Sequence, residues 1–173
     1  MLKDFSIKKY LNKKPPSDNS NTTKQEILEL TKIPIKEKFV KEMDDGEACM
    51  QQIVGKDPLI GKLISESRPI IDKLKKHFNR PRPKVLAKKM GVKMKDIELK
   101  TMKTPSYPSG HSVQAYLMAL TLSDKYPKYR NKLMKTAKDI SYSRRVAHAH
   151  YKSDSLFGEQ IGKDMYKHIK NKV

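Results

Sequence analysis

The sequence predicts an all-α fold, a compact single-domain bundle of about six or seven helices. Three observations carry that expectation. Apolar residues recur three, four or seven positions apart over most of the chain, as one face of a helix requires. The period-two alternation of strands is scarce. A length of 173 residues, 36% of them hydrophobic, supplies one core rather than two.

The elements follow in order. Residues 1–23 are rich in Lys, Asn, Ser and Pro, as in Lys13-Lys14-Pro15-Pro16, and read as a basic arm without its own core. The helical domain is expected over 24–173. Thr23, with Glu26 three residues on, reads as the cap of a helix over 24–32 that Pro34 ends. Residues 36–50 read as one helix with Phe39, Val40 and Met43 inward. Over 58–79 the stripe Ile60, Ile64, Ile71, Leu74 and Phe78 predicts a helix that Pro69 starts or kinks. Arg80-Pro81-Arg82-Pro83 stops it, because two prolines remove donors and clash with the preceding turn. A short helix over 84–91 closes at Gly91. Residues 92–108 are polar, contain Pro105 and Pro108, and are long enough to be a functional loop. Further helices are expected over 109–125, 128–147 and 153–170.

Composition excludes several classes. The longest apolar run, Tyr116-Leu117-Met118-Ala119-Leu120, falls far short of the ~20 residues of a spanning helix. Cys49 is the only cysteine, so there is no disulfide framework. No repeat of solenoid length is present. The N-terminus is basic but lacks the apolar stretch of a signal peptide, so a soluble, intracellular location is expected. The net charge is +19. Diffuse lysine of this kind is a solvated surface that also attracts polyanions or an anionic membrane nonspecifically. The six arginines differ from the 32 lysines: four fall in two short segments, Arg80 with Arg82 and Arg144 with Arg145. Arginine grips phosphate through two parallel N–H donors, so two arginine foci in a lysine-rich chain point to a site.

Three segments can carry chemistry. In Pro108-Ser109-Gly110-His111, Ser109 can cap a helix and Gly110 lets an anion approach the backbone. The free N–H groups of the first turn then face the anion, with His111 at the mouth as a proton donor. In the segment from Ser143-Arg144 to His150 and Asp154, a carboxylate four residues from the imidazole can hold Nδ1–H and leave Nε2 with its lone pair, as a nucleophile needs. That pairing comes from a shared helix face, or from a turn if Ser153 caps a helix beginning at Asp154. A metal site of His148, His150 and Asp154 is a weaker alternative, because a spacing of two sets His148 on another face and no further ligand cluster is evident. The third segment, from Lys75 to Arg82-Pro83, places two cations seven residues apart. Lys73 and Arg80 share that spacing, so the register stays open.

In this order the three segments resemble the signature of the type 2 phosphatidic acid phosphatase and vanadium haloperoxidase superfamily, K-x6-R-P, then P-S-G-H, then S-R-x5-H-x3-D. The matching residues are Lys75, Arg82 and Pro83, then Pro108 to His111, then Ser143, Arg144, His150 and Asp154. Phe78 and Arg80 favour that register of the first part. Pro15-Pro16, Ser20 and the Glu26–Leu30 stretch also resemble the N-terminal segment of the soluble bacterial acid phosphatases. Family members often carry Gly where Ala147-His148 stands and Pro where Lys152 stands, so this chain has added polar groups beside the site.

The resemblance implies a metal-independent phosphatase that hydrolyses phosphate monoesters, or diphosphates, through a phosphohistidine. It implies His150 as nucleophile, Asp154 as its orienting partner and His111 as general acid and then base. Lys75, Arg82, Ser109, Gly110 and Arg144 would hold the phosphate. It implies no cofactor, although vanadate would fit the same cradle as an inhibitor or, in a haloperoxidase-like enzyme, as a prosthetic group. The charge alone would also suit a basic nucleic-acid-binding protein, but no binding motif accompanies it. The expected partner is a small phosphorylated substrate.

Overall fold

A computed structural model describes residues 1–172. Eight α-helices run in order: α1 (Asn21–Lys32), α2 (Glu37–Glu42), α3 (Gly46–Val54), α4 (Pro58–Phe78), α5 (Pro83–Lys89), α6 (Gly110–Lys125), α7 (Arg130–Val146) and α8 (Lys152–Ile169). Short 3-10 turns lie at Lys8–Tyr10, Lys100–Lys103 and Pro127–Tyr129. No strand is present among the described residues, so the fold is all-α. No helix there is long and apolar enough to cross a membrane.

The bundle is built around α6. Its buried residues, among them Val113, Ala115, Tyr116, Leu117, Met118, Ala119 and Leu122, leave its axis in every direction. A helix apolar on all sides must be surrounded, and α4, α7 and α8 pack on it. Leu63 and Leu74 of α4, Leu133 and Ile140 of α7, and Ile161 and Met165 of α8 complete one cluster. Full burial of each large side chain contributes about 1.5–3 kcal/mol.

Two glycines set how closely α8 approaches α6. A Cβ at Gly158 would meet the carbonyl of Ser109 and lie 2.9 Å from the Cβ of Ser112. One at Gly162 would meet the carbonyl of Val113 and lie 3.1 Å from the Cβ of Tyr116. The two backbones therefore touch, and the Ser109 N–H donates to the carbonyl of Asp154 at 3.1 Å. This contact fixes the start of α8 against the start of α6, where two of the three sequence segments lie.

Several local expectations are corrected. The helix expected over 36–50 is two helices. The chain breaks at Met43-Asp44-Asp45, and the Asp45 carboxylate accepts from Ala48 N–H at 2.9 Å to start α3 anew. Ser20 rather than Thr23 caps α1, accepting from Thr23 N–H at 3.2 Å. Pro69 lies inside α4, so of the two expected roles it does not start the helix. The carbonyl that loses its donor to Pro69 belongs to Ser65, which is exposed and open to water. The N-terminal segment lies against the bundle, with Leu2 and Tyr10 buried in the main cluster and the Tyr10 hydroxyl donating to Asp164.

Candidate active site

α4 ends at Phe78 with Asn79 left-handed as its C-cap, φ +48°. The chain then turns through Arg80-Pro81-Arg82 into α5. Lys75 in the last turn of α4 and Arg82 just before α5 both face one cavity of about 480 Å3. Gly110 and His111 from the first turn of α6, Arg144 from the last turns of α7 and His150 from the α7–α8 turn line the same cavity. The three segments therefore converge, and the register of the first is Lys75 with Arg82.

Lys73 is exposed outside the cavity. Arg80 has a different place, buried behind the site and 1% exposed. Its Nη1 donates to Asp154 Oδ1 and to Ser153 Oγ, both at 2.7 Å. Its guanidinium stacks on the Tyr151 ring at 3.7 Å. Glu26, expected as part of a helix cap, instead accepts from Arg80 Nη2 at 3.3 Å and from the Ser153 N–H at 2.7 Å.

His150 and Asp154 do not share a helix face. His150 precedes α8, and Asp154 sits in its first turn. The Asp154 Oδ2 accepts from His150 Nδ1 at 3.0 Å and from Tyr151 N–H at 3.1 Å. Arg82 Nη1 lies 2.9 Å from His150 Nε2. A guanidinium only donates, so Nε2 must accept and the ring proton must sit on Nδ1, facing Asp154. Asp154 and Arg82 thus select the same tautomer from opposite sides. Burial, with the charges of Arg82, Lys75, His111 and Arg144, holds the His150 pKa well below the ordinary histidine value. Burial pushes the Asp154 carboxyl up to about 7, with Arg80 acting against it.

The cations of the cavity are themselves desolvated. Burial, then the neighbouring Arg82, lowers the Lys75 pKa to about 8. Burial also lowers that of Arg82 to about 10. Lys75 Nζ donates to Thr104 Oγ1 at 2.8 Å. Arg82 Nε donates to the carbonyl of Thr104 at 2.8 Å and Nη2 to that of Thr101 at 3.1 Å. The 92–108 loop is therefore a strap that holds two of the cations lining the cavity.

On the opposite wall stands Asp44, a residue that sequence reasoning missed. Its Oδ1 accepts from Arg144 Nη1 at 2.8 Å and lies 3.3 Å from His111 Nε2, while its carbonyl lies 2.8 Å from the same nitrogen. His111 and Arg144 hold the Asp44 carboxyl below the usual carboxylate range. The Asp45-Gly46 pair was the available signal, since it marks a helix start inside 36–50. Ser109 is the cap of α6, as expected, but it is not among the residues that face the cavity. It is fully buried, and its Oγ accepts from Ser112 N–H at 3.3 Å. His148 points away from His150 and contacts two backbone carbonyls, and Lys152 is exposed at the start of α8.

Residues 61–163 match the PAP2 superfamily. The chain belongs to that superfamily. It is also 35% identical over 88 residues to the non-specific acid phosphatase of Salmonella typhimurium (strain LT2), and equally to that of Salmonella typhi. The matched stretch is 51% of this chain and 35% of each relative, so it spans about a third of their length. The larger part of each relative is left unmatched.

Proposed function

We propose that this PAP2 protein is a phosphatase that hydrolyses small phosphate monoesters, or diphosphates, by in-line transfer of the phosphoryl group to His150. The single observation that carries the reading is the tautomer fixed by Asp154 and Arg82, which aims the Nε2 lone pair into a cavity ringed by Lys75, Arg82 and Arg144. The name of the Salmonella relatives, non-specific acid phosphatase, supports the same reading.

The phosphate enters with its oxygens against Lys75, Arg82, Arg144 and the N–H groups of Gly110 and His111. Charge in phosphoryl transfer spreads over the equatorial oxygens, so fixed donors around them stabilise the transition state, each by about 3 kcal/mol. Arg82 shifts its donor from Nε2 to a phosphate oxygen, which frees the lone pair. Nε2 bonds to phosphorus as the ester P–O bond breaks, and His111 gives its proton to the departing oxygen. Asp154 stabilises the imidazolium formed on His150. His111, now neutral, takes a proton from water. That water attacks phosphorus, the P–N bond breaks, and inorganic phosphate leaves.

His150→Ala, checked by circular dichroism for retained helix, should abolish p-nitrophenyl phosphate turnover. Quenching the wild-type reaction should trap an acid-labile, base-stable phosphoramidate on His150. Turnover should persist in EDTA and stop with orthovanadate. Wild-type rates from the variant, or loss of turnover in EDTA, would refute the proposal, and peroxide-dependent halide oxidation with vanadate would replace it.

A further inference from the structure

His148 stands two residues before His150 in a conformation that side chains rarely adopt, with φ +56°. It is 4% exposed. Its backbone N–H donates to the carbonyl of Arg145 at 2.9 Å, and the next N–H, of Ala149, donates to that of Arg144 at 3.0 Å. The turn therefore stays closed at the end of α7 while the imidazole is thrown sideways. The ring bridges two distant pieces of backbone: Nδ1 lies 2.6 Å from the carbonyl of Lys95, and Nε2 lies 2.8 Å from the carbonyl of Ile33. Carbonyl oxygens only accept, so both contacts are hydrogen bonds when the ring carries N–H on both nitrogens.

Both partners matter by position. Ile33 is the C-cap of α1. Lys95 lies near the start of the strap whose Thr101 and Thr104 hold Arg82 and Lys75. Beside this bridge Ile97, Leu99 and Met102 of the strap pack on Val40, Val146, Ala147 and Ala149. Ile97 N–H adds a long bond, 3.4 Å, to the carbonyl of Ala147. Arg82 in turn donates to the carbonyl of Ala149 at 2.9 Å, next to the nucleophile. The ring thus joins the nucleophile's turn, the end of α1 and the strap at one buried point.

We propose that His148 is a positioning residue for the phosphate site: donating from both ring nitrogens, it pins the 92–104 strap and thereby sets Arg82 and Lys75 against the bound phosphate. The proposal rests on the reading that those two cations bind phosphate. A left-handed position is free for glycine and strained for histidine, and the two ring contacts hold His148 in it.

The test compares the full-length wild type with His148→Gly, which keeps the backbone conformation and removes both donors. Amide hydrogen exchange over 92–104 should quicken at least tenfold while α6 is unchanged. The inhibition constant of inorganic phosphate and KM should each rise about tenfold, with a smaller change in kcat. Added imidazole, at a pH where it is a two-donor cation, should restore phosphate affinity. Pyrazole, which donates once, should not. If the glycine variant fails to fold, His148→Asn, which tolerates the left-handed region, should show the same loss. Wild-type exchange and phosphate affinity in the folded variant would overturn the proposal. So would a lower Tm with unaltered phosphate affinity, or equal rescue by pyrazole. Exchange over the strap reads the clamp whether or not the wild type turns over a phosphomonoester, so a failure of the catalytic reading is told apart from a failure of this one.

Discussion

Asp154→Asn changes one atom of a fully buried side chain that accepts three hydrogen bonds. Oδ1 takes Arg80 Nη1 at 2.7 Å, and Oδ2 takes His150 Nδ1 at 3.0 Å and Tyr151 N–H at 3.1 Å. The amide has two orientations, and each leaves a conflict. With its oxygen towards His150, its NH2 meets the Arg80 guanidinium, donor against donor. The nucleophile keeps its tautomer, but the carboxylate charge that stabilises the developing imidazolium is gone. A hydrogen bond to a charged group contributes about 1.5–3 kcal/mol, so the minimum loss in rate is roughly ten- to a hundredfold. With its NH2 towards His150, Nδ1 must accept and the ring proton moves to Nε2, where it meets Arg82. The lone pair then faces away from phosphorus, and the loss reaches about 10³- to 10⁴-fold. Arg80 is also left without its carboxylate partner in Asp154, and breaking a buried pair from one side costs about 3–5 kcal/mol, discounted here because Glu26 still accepts from Arg80. Rapid-quench measurement of phosphoenzyme formation, with Tm recorded on the same samples, reads both effects. A folded variant that forms phosphoenzyme within threefold of the wild-type rate would refute the tautomer argument.

Other consequences follow from the same geometry. Because Lys75 is charged only below its lowered pKa of about 8, inorganic phosphate should bind progressively more weakly as pH rises through that value, and Lys75→Arg should move the decline upward. Inhibition constants measured across pH 6–10 check this. Asp44→Asn removes a carboxylate that competes with phosphate for Arg144 and His111; with Asp44 about 39% exposed, relief of about 1 kcal/mol should tighten phosphate inhibition roughly fivefold, and weaker inhibition would contradict it. Gly162→Ala forces α8 off α6 and should lower stability by about 1–3 kcal/mol in a denaturant titration, with a larger m-value excluded if the fold is kept. Asp57 caps α4 and pairs with Lys125 and Tyr126, which hold its pKa below the ordinary value. Its stabilisation is thus present above the unfolded carboxylate pKa and is lost as pH falls through the lower folded value. Asp57→Ala should therefore cost about 1 kcal/mol at pH 7 and less at pH 2, read as Tm differences.

What the sequence disclosed was what the chain writes locally. Helical periodicity is a neighbour relation, so α4, α6, α7 and α8 were legible to within a few residues, and Pro108 to His111 announced a helix start because capping depends on adjacent residues. The third segment was legible as a pairing of His150 with Asp154, although the pairing arises from the start of α8 and not from one helix face. The misses are of another kind. Arg80 and Asp154 are 74 residues apart, and Asp44 and Arg144 are 100 apart. No local pattern relates such partners, and in a chain of 38 cations a buried arginine looks like any other until its surroundings are known. The stripe of Phe39, Val40 and Met43 concealed the break that places Asp44, because apolar spacing continues across a kink that only the Asp45 cap reveals. Ser109 was legible as the helix cap that it is, while its absence from the cavity wall was not: its burial, with Gly158 of α8 packed on its carbonyl, comes from a contact that local sequence does not write. The same close approach brings the carbonyl of Asp154 onto the Ser109 N–H, so a hydrogen bond ties the start of α6 to the residue whose carboxylate holds His150 Nδ1.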